Sequence, residues 1–471
     1  MPSLVQSGVT TTAPRETRQP EVRALTGLRI VAAAWVVVFH FHFTALGGVA
    51  DVVAATGPVL TAGALGVDMF FVLSGFVIAY TYLDVLGPRL RARAAGRFVW
   101  ARTARLWPAY VVVLVLFGAW VVARHVIGGG GPVVFQAEQP DVTVAAFVRQ
   151  LLLVQLWDKP YFDGASWVGP TWSISAEWLA YLLFPAVAVV LYRLRRLPRS
   201  VLALGALLLM APIAASYVVT GSPYFPWSWL VRILCGFGAG VLVFLVVRRI
   251  RVTARGRRVA SRIADASAVL IVAGLCVGEL AGQGRGGAVI VLFPVLVGAL
   301  SLADGGLARL LSTRPFCYGG RASYSLYLVH IPIFEVYWLA MAHFPVLVGP
   351  TVTAHVIGGL VLLATFPAAV LLHRVVEAPG SRVMRTHMPS FLHERPAVEP
   401  RQKTAQVRPA SSGPSRGRGP LLGAVPVART VSYGPPQQRT PRHAAGTVGR
   451  PALVPSGMAR HARRDPRAAL S

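Results

Sequence analysis

The sequence has little acidic charge and almost no lysine. Of its 471 residues only 18 are Asp or Glu, whereas 46 are Lys or Arg, and Lys159 and Lys403 are the only lysines. Charged residues make up 14% of the chain, below the roughly 25% of an ordinary soluble domain, and hydrophobic residues make up 55%. The composition therefore excludes a typical soluble domain and indicates an integral membrane protein.

Cysteine is also scarce. Cys235, Cys276 and Cys317 are odd in number, far apart, and each lies in or beside an apolar segment. This pattern indicates neither a disulfide framework nor a thiolate metal site. We predict that the cysteines are small core residues and that the protein uses no metal.

The net charge of +28 would suggest a nucleic-acid partner if the cations lay on one soluble face. They fall instead in short clusters between apolar runs and in the last part of the chain. Such clusters are typical of membrane topology, and we predict no nucleic-acid partner.

Long apolar runs are the dominant feature. Ten of them are long enough to cross about 30 Å of hydrocarbon, so the sequence predicts an all-α, polytopic membrane protein with about ten transmembrane helices. A further apolar segment, residues 144–157, is short and contains Arg149 and Gln150, which predicts an interfacial or re-entrant helix. The ten runs are residues 28–47, 63–86, 105–125, 171–192, 200–220, 229–248, 265–283, 286–304, 322–343 and 351–374.

Arginine placement predicts the orientation. Three arginines precede the first run and Arg29 lies at its start, whereas the connection 47–62 has no Lys or Arg, and later arginine clusters recur at every second connection. Cytoplasmic loops carry the excess of Lys and Arg. We therefore predict a plasma-membrane protein with both termini in the cytoplasm.

Composition also predicts three regions. Residues 1–23 form a polar cytoplasmic segment and residues 24–386 a membrane-embedded domain. Residues 387–471 are rich in Pro, Arg and Ser without apolar periodicity, so a disordered cytoplasmic tail is expected. Its positive charge could contact anionic lipid headgroups, but a solvated extension is as good an interpretation.

Five ionisable residues lie inside predicted spans: Arg29, His40, Asp68, Glu177 and His330. Burying them in hydrocarbon is costly, so a shared polar cavity is the default interpretation. Arg29 and His40 are eleven residues apart, which places them on one helical face about 16 Å apart along the axis. A lone buried histidine is more often structural, and only the set as a whole indicates function.

The second run, GVDMFFVLSGFVIAY, adds a packing prediction. Phe70 and Phe71 have the character of packing residues, and Ser74 and Gly75 would allow close helix approach. Only Asp68 of this stretch is a candidate functional residue.

Arg102 and Arg105 precede the third run in RFVWARTARLWPAY. Their simplest interpretation is positive-inside topology. Being three apart, they also share a helical face, and the planar guanidinium pairs phosphate oxygens bidentately. A cytoplasmic phosphate clamp is the sharper hypothesis.

From about residue 24 to 386 the chain resembles the acyltransferase 3 family of integral membrane O-acyltransferases. Blocks such as LTGLRIVAAAWVVVFH, GVDMFFVLSGFVIAY and TWSISAEWLAYLLFP occur in the expected order. The family's motifs are met by Arg29 and His40, Phe70 to Gly75, Arg102 and Arg105, Glu177 and Pro185, and Glu377 to Pro379.

The resemblance implies transfer of an acyl group, commonly acetyl, from cytoplasmic acyl-coenzyme A to a hydroxyl of a carbohydrate or glycosylated acceptor. That acceptor could be a cell-envelope polysaccharide, a glycolipid or the sugar of a secondary metabolite, since related enzymes of antibiotic biosynthesis acylate macrolide sugars. Membrane lipid would be the remaining partner. Some members carry a fused extracytoplasmic hydrolase-like domain, which we do not expect here.

The mechanism expected from these residues joins the two ends of the first span. Arg29, Arg102 and Arg105 would hold the nucleotide phosphates while the thioester reaches His40, which acts as general base or carries the acyl group itself. Asp68 or Glu177 would orient the imidazole, and His330 would contact substrate.

The alternative class is a carrier or flippase for a glycolipid or an anionic solute, since intramembrane His, Asp and Glu could also form a transport path. No internal repeat of the transporter kind supports it.

Overall fold

A computed structural model describes residues 21–128 and 139–392. Within these ranges all regular elements are helices, and ten stretches are long and apolar enough to cross a membrane. The predicted all-α, polytopic fold is confirmed. The helices are α1 (Arg23–Phe41), α2 (Gly47–Thr56), α3 (Pro58–Thr61), α4 (Leu65–Leu86), α5 (Ala92–Gly128), α6 (Val144–Leu151), α7 (Trp172–Leu194), α8 (Arg199–Thr220), α9 (Ser228–Val247), α10 (Ala254–Leu280), α11 (Phe293–Leu302), α12 (Gly306–Leu311), α13 (Arg314–His343), α14 (Val352–Leu372) and α15 (Ala378–Thr386).

Residues 1–20 and 393–471 lie outside the described residues. These ranges hold most of the predicted N-terminal segment and almost all of the predicted tail. The division into three regions therefore stays a prediction.

Several helices begin before the apolar run that predicts them. α5 begins at Ala92 rather than at residue 105, and α10 begins at Ala254 rather than at residue 265. Hydropathy detects only the part of a helix that suits hydrocarbon, whereas backbone hydrogen bonding continues through the arginine-rich turns. The helix α2 lies in a segment that the sequence analysis treated as a loop.

The short helix predicted within residues 144–157 is present as α6, which ends at Leu151. Thr143 caps it by accepting a hydrogen bond from the Ala146 amide at 3.1 Å. The helix is tied to α5, because the Tyr110 hydroxyl donates to the Gln150 carbonyl oxygen at 2.9 Å.

Helices α4 and α9 pack in parallel. Asp68 pairs with Arg232 near their first turns and Asp84 with Arg248 near their last, with the same sequence offset. Between these pairs, a Cβ at Gly75 would overlap the carbonyl oxygen of Phe237. The close helix approach predicted at Gly75 is therefore confirmed.

Helices α1 and α13 also run parallel. Near their starts a Cβ at Gly320 would overlap the carbonyl oxygen of Thr26. Past the end of α1, the Trp338 indole donates to the Thr44 hydroxyl at 3.0 Å. This alignment places the second half of α1 against the middle of α13.

Contacts between connections divide the bundle into two ends. At one, Arg23 donates to the Ser312 carbonyl oxygen at 2.7 Å, and Arg249 donates to the Arg195 carbonyl oxygen at 3.1 Å. Arg257 pairs there with a carboxylate at 2.8 Å. We call this the arginine end.

The other end holds the connections that follow α1, α8 and α13. There the Trp229 indole donates to the Lys159 carbonyl oxygen at 2.9 Å, and the Gly48 amide donates to His355 at 2.7 Å. We call it the opposite end. Connections that the sequence assigns to the same side of the membrane thus touch one another.

Candidate active site

Two histidines meet where α1 and α13 run side by side. The Nε2 atom of His330 lies 3.3 Å from the Nδ1 atom of His40, and the ring centroids are 5.0 Å apart. His330 is fully buried, with the rings of Tyr327 and Phe334 packed around it. Two of the predicted site residues therefore come together.

The hydrogen bonds of His40 and His330 indicate their tautomers. His40 Nδ1 lies 2.9 Å from the Val36 carbonyl oxygen, which only accepts, so Nδ1 carries the proton. His330 Nδ1 lies 3.3 Å from the Leu326 carbonyl oxygen, which leaves His330 Nε2 as the acceptor that faces His40. A neutral His40 then carries its basic lone pair at Nε2.

Arg29 lies on the same continuous helix as His40. That continuity supports the predicted spacing of three turns, about 16 Å. The guanidinium of Arg29 is 5.4 Å from the centroid of the Phe70 ring. Arg29 is also within electrostatic range of Arg105, Glu177 and Glu377.

Glu377 links three helices at this level of the bundle. It is fully buried and accepts hydrogen bonds from Arg105 of α5, from the Ser325 hydroxyl of α13 at 2.6 Å and from His373 at 2.9 Å. His373–Glu377 is one π-helical turn after α14, a feature common at functional sites. The sequence analysis named Glu377 as part of a motif and not as a site residue.

Arg102 and Glu177 share a tyrosine. The guanidinium of Arg102 lies 5.9 Å from the centroid of the Tyr181 ring and donates to the Tyr82 hydroxyl at 3.1 Å. Glu177 accepts from the Tyr181 hydroxyl at 2.5 Å and from the Ser74 hydroxyl at 2.6 Å. Ser74, predicted to serve packing alone, is therefore also a hydrogen-bond donor to a candidate site residue.

Asp68 has a different environment. Both of its carboxylate oxygens are bound by Arg232, at 2.8 and 2.7 Å, and both side chains are about 98% buried or more. The hydrogen bonds described for Asp68 and Glu177 thus go to groups other than His40.

Arg232 is absent from the sequence-based set of intramembrane charges. The sequence nevertheless contains a signal for Arg232, because an arginine inside the apolar run 229–248 is costly to bury and needs a partner. Which carboxylate would be that partner depends on the packing of α4 on α9, and neither helix sequence states it.

Within the described ranges, no group of three or more His, Cys, Asp or Glu side chains is placed to hold a metal ion. Of the three cysteines, Cys317 is buried, Cys235 is half-buried and Cys276 is exposed. The prediction of core cysteines is therefore confirmed for Cys317 and wrong for Cys276.

Comparison with known proteins decides the family. The acyltransferase 3 family model, described as an acyltransferase domain, matches residues 22–374. The chain belongs to this family. It is an acyltransferase, and the ten candidate spans among its described residues indicate a multi-pass membrane protein. Membership favours the enzyme over the carrier alternative.

Three curated relatives are similar over 66–82% of this chain. Acyltransferase MdmB of Streptomyces mycarofaciens is 29% identical over 414 residues, 82% of this chain and 97% of the relative. Peptidoglycan O-acetyltransferase OatA of Listeria monocytogenes is 26% identical over 326 residues, 66% of this chain and 49% of the relative. Putative peptidoglycan O-acetyltransferase YrhL of Bacillus subtilis is 24% identical over 341 residues, 66% of this chain and 48% of the relative.

The chain thus spans about half the length of the two relatives that are named peptidoglycan O-acetyltransferases. No solved structure matches it.

Proposed function

We propose that the protein transfers an acyl group, acetyl in the first instance, from cytoplasmic acyl-coenzyme A to a hydroxyl of a carbohydrate or glycosylated acceptor. The observation that carries this proposal is the His40–His330 pair. It supplies an oriented basic nitrogen on the same helix as an arginine near the arginine end. Two relatives named peptidoglycan O-acetyltransferases support a carbohydrate acceptor and an acetyl donor.

The donor is proposed to bind through Arg29, Arg102 and Arg105. Guanidinium groups pair phosphate oxygens bidentately, and Arg105 keeps 27% of its side chain exposed although it pairs with Glu377. The distance of about 16 Å from Arg29 to His40 is of the order of an extended pantetheine arm. Phosphates near the arginine end would therefore leave the thioester beside His40.

His40 is proposed to act as the general base. Its Nε2 lone pair takes the proton of the acceptor hydroxyl while that oxygen attacks the thioester carbonyl carbon. A C–O bond forms, the C–S bond breaks, and the coenzyme A thiolate leaves with a proton returned from the imidazolium. The ester product then stays on the acceptor.

His330 is proposed to hold the His40 ring in place, a role that the sequence analysis gave to Asp68 or Glu177. An acceptor nitrogen 3.3 Å from His40 Nδ1 favours the tautomer with the lone pair at Nε2. Glu177 is proposed to order Tyr181 beside Arg102. Asp68 is proposed to fix α4 against α9 through Arg232.

The test uses His40→Ala with His42→Ala as the matched control, since His42 is only two residues away and bonds the Phe39 carbonyl oxygen instead. Membranes with each variant receive labelled acetyl-coenzyme A, and mass spectrometry searches envelope polysaccharides and secreted metabolites for the acyl ester. We expect His40→Ala to abolish the ester and His42→Ala to retain it. An undiminished ester in folded His40→Ala would refute the proposal.

The same experiment addresses the second role left open for His40. If His40 carried the acyl group, an acetyl-imidazole adduct on the protein would accumulate when acceptor is withheld. If His40 acts as a general base, no such adduct forms. Donor and acceptor must then both be bound before the acyl group is transferred.

A further inference from the structure

The connection between α5 and α7 contains a cavity that the proposed mechanism does not use. Its volume is about 240 Å³, and it opens between α6 and the chain that leads to α7. It is smaller than the roughly 300–1,000 Å³ of a site for a drug-sized ligand and would hold about eight water molecules. This is the scale of a single sugar ring. About half of its lining residues are polar, and the lining includes Asp141, Arg149, Gln150, Gln155, Lys159 and Trp167.

Two glutamines in this lining have unsatisfied amide oxygens. Gln150 and Gln155 are each 98% buried, and the Oε1 atom of each has no hydrogen-bond donor. Their amide nitrogens are used, since Gln150 Nε2 donates to the Ala165 carbonyl oxygen at 2.8 Å and Gln155 Nε2 lies 3.5 Å from the Thr171 carbonyl oxygen. A buried polar atom without a partner costs about 1–3 kcal/mol. Both glutamines line the same cavity, so a donor held there would become a partner of either oxygen when its amide turns toward the cavity.

The missing partners define the chemistry of that ligand. An amide oxygen accepts hydrogen bonds, so the ligand must present donors. Sulfate and carboxylate have only acceptors when ionised and would not satisfy Gln150 and Gln155. Cations and a carboxylate both line the cavity, and Arg149 is paired with Asp158 at 2.7 Å. Neutral hydroxyl groups fit this lining, and the terminal torsion of glutamine is soft enough to turn its oxygen toward them.

The cavity is connected to the histidine pair by a short series of contacts. Gln155 reaches the Thr171 carbonyl oxygen at the start of α7, and the neighbouring Pro170 carbonyl oxygen accepts from the Tyr327 hydroxyl at 2.8 Å. The Tyr327 ring is 5.7 Å from the His330 ring, which contacts His40. A ligand held in the cavity thus lies on the side of the histidine pair away from Arg29, Arg102 and Arg105.

We propose that this cavity is a subsite for one sugar ring of the acceptor, whose hydroxyls donate to Gln150 and Gln155. The inference rests on the proposed function, because it assigns the acceptor of that reaction to the opposite end of the bundle. Donor and acceptor then approach His40 from different ends.

The test measures sugar binding separately from transfer. The full chain in lipid nanodiscs is titrated with N-acetylglucosamine, and binding is followed by saturation-transfer NMR. The variants are Gln150→Leu, Gln155→Leu and Ala145→Trp. Ala145 lines the cavity from an exposed position of α6, so its substitution fills the space without altering the core.

Two further variants serve as controls. Gln283→Leu changes an exposed glutamine on the connection after α10, and His40→Ala removes the base without touching the cavity. We expect each glutamine variant to weaken sugar binding about three- to tenfold and Ala145→Trp to abolish it. Both controls should bind like the wild type, and inorganic sulfate should not displace the sugar.

Three results would overturn the inference: no saturation transfer in the wild type, equal binding by Ala145→Trp, or displacement of the sugar by sulfate. If the glutamine variants fail to fold, Ala145→Trp decides alone. Failure of the proposed function is distinguishable, because a wild type that binds the sugar and acylates no hydroxyl contradicts only the reaction. Undiminished acylation of a native acceptor by Ala145→Trp contradicts only the subsite.

Discussion

In the proposed mechanism the basic nitrogen of His40 depends on its neighbour His330. The substitution His330→Ala removes the acceptor nitrogen beside His40 Nδ1 and keeps the contact of that nitrogen with the Val36 carbonyl oxygen. We expect kcat to fall about tenfold or more, a part of the roughly 10²–10⁴-fold that a positioned base contributes. The Kd for acetyl-coenzyme A should not change, because His330 lies away from the arginines. His330→Gln, which keeps an acceptor, should recover part of the rate.

Steady-state kinetics and donor titration on the same preparations check this prediction. His355→Ala is the control, since His355 bonds the Gly48 amide at the opposite end. A fall in donor affinity with unchanged kcat would instead assign His330 to substrate binding, as the sequence analysis expected.

The proposed roles of Arg102 and Arg105 in donor binding can be measured. A hydrogen bond to a charged group contributes about 1.5–3 kcal/mol, so Arg102→Ala and Arg105→Ala should each raise the Kd for acetyl-coenzyme A about tenfold or more. Lysine at either position should restore little of the affinity for acetyl-coenzyme A, because it lacks the planar guanidinium group that pairs two phosphate oxygens. Isothermal titration calorimetry measures both.

The control for this pair is Arg93→Ala on the first turn of α5, where the side chain is exposed. Its loss should leave Kd unchanged. An equal effect of all three substitutions would mean that the region contributes only a diffuse positive field, and that Arg102 and Arg105 form no specific clamp.

At the scale of residues, the spacing of residues along one helix predicted part of the candidate site. The eleven-residue interval from Arg29 to His40 is a property of one helix, so the sequence alone defines it. The partners Glu377 and Arg232 could not be assigned in this way, because each pairs with a residue on a helix that is far away in the sequence. Sequence shows that a buried charge needs a partner and does not show which one.

At the scale of helices, the α4–α9 pair offers an internal comparison. Asp68 and Arg232 are buried at one end, whereas 56% of the Asp84 side chain is exposed where it pairs with Arg248 at the other. Asp68→Asn leaves a buried guanidinium without its counter-charge and should lower the free energy of unfolding by about 3–5 kcal/mol. Asp84→Asn should cost about 1 kcal/mol or less. Thermal unfolding in detergent compares the two variants.

The double variant Asp68→Leu with Arg232→Met separates a structural role from a catalytic one. Replacing both partners by apolar groups of similar size is often neutral for stability, so we expect it to fold and to retain acyl transfer. A folded but inactive double variant would return Asp68 to the catalytic residues that the sequence analysis predicted.

Helix existence was predictable and helix extent was not. Runs of about twenty apolar residues have few alternatives to a spanning helix, and all ten were found. The arginine-rich start of α5 and the whole of α2 carry no such signal. Both are helical through backbone hydrogen bonding, which hydropathy does not measure.

At the scale of the whole molecule, the proposed reaction needs two separate entrances. Arg29, Arg102 and Arg105 lie toward the arginine end. The glutamine-lined cavity is also lined by Lys159, whose carbonyl oxygen accepts from Trp229 at the opposite end. Coenzyme A thioesters are cytoplasmic metabolites, so the arginine end must face the cytoplasm for donor to arrive. Orientation is therefore part of the mechanism.

Cysteine labelling tests that orientation. In a background with the native cysteines replaced by serine, Asp51→Cys places a thiol on exposed α2 at the opposite end, and Arg255→Cys places one on exposed α10 at the arginine end. A membrane-impermeant maleimide on intact cells should label Asp51→Cys, and should label Arg255→Cys only after permeabilisation. The excess of arginine at one end is the physical reason. The reverse pattern would put Arg102 and Arg105 outside the cell, beyond the reach of cytoplasmic acyl-coenzyme A, and the donor site would then have to lie at the other end of α1.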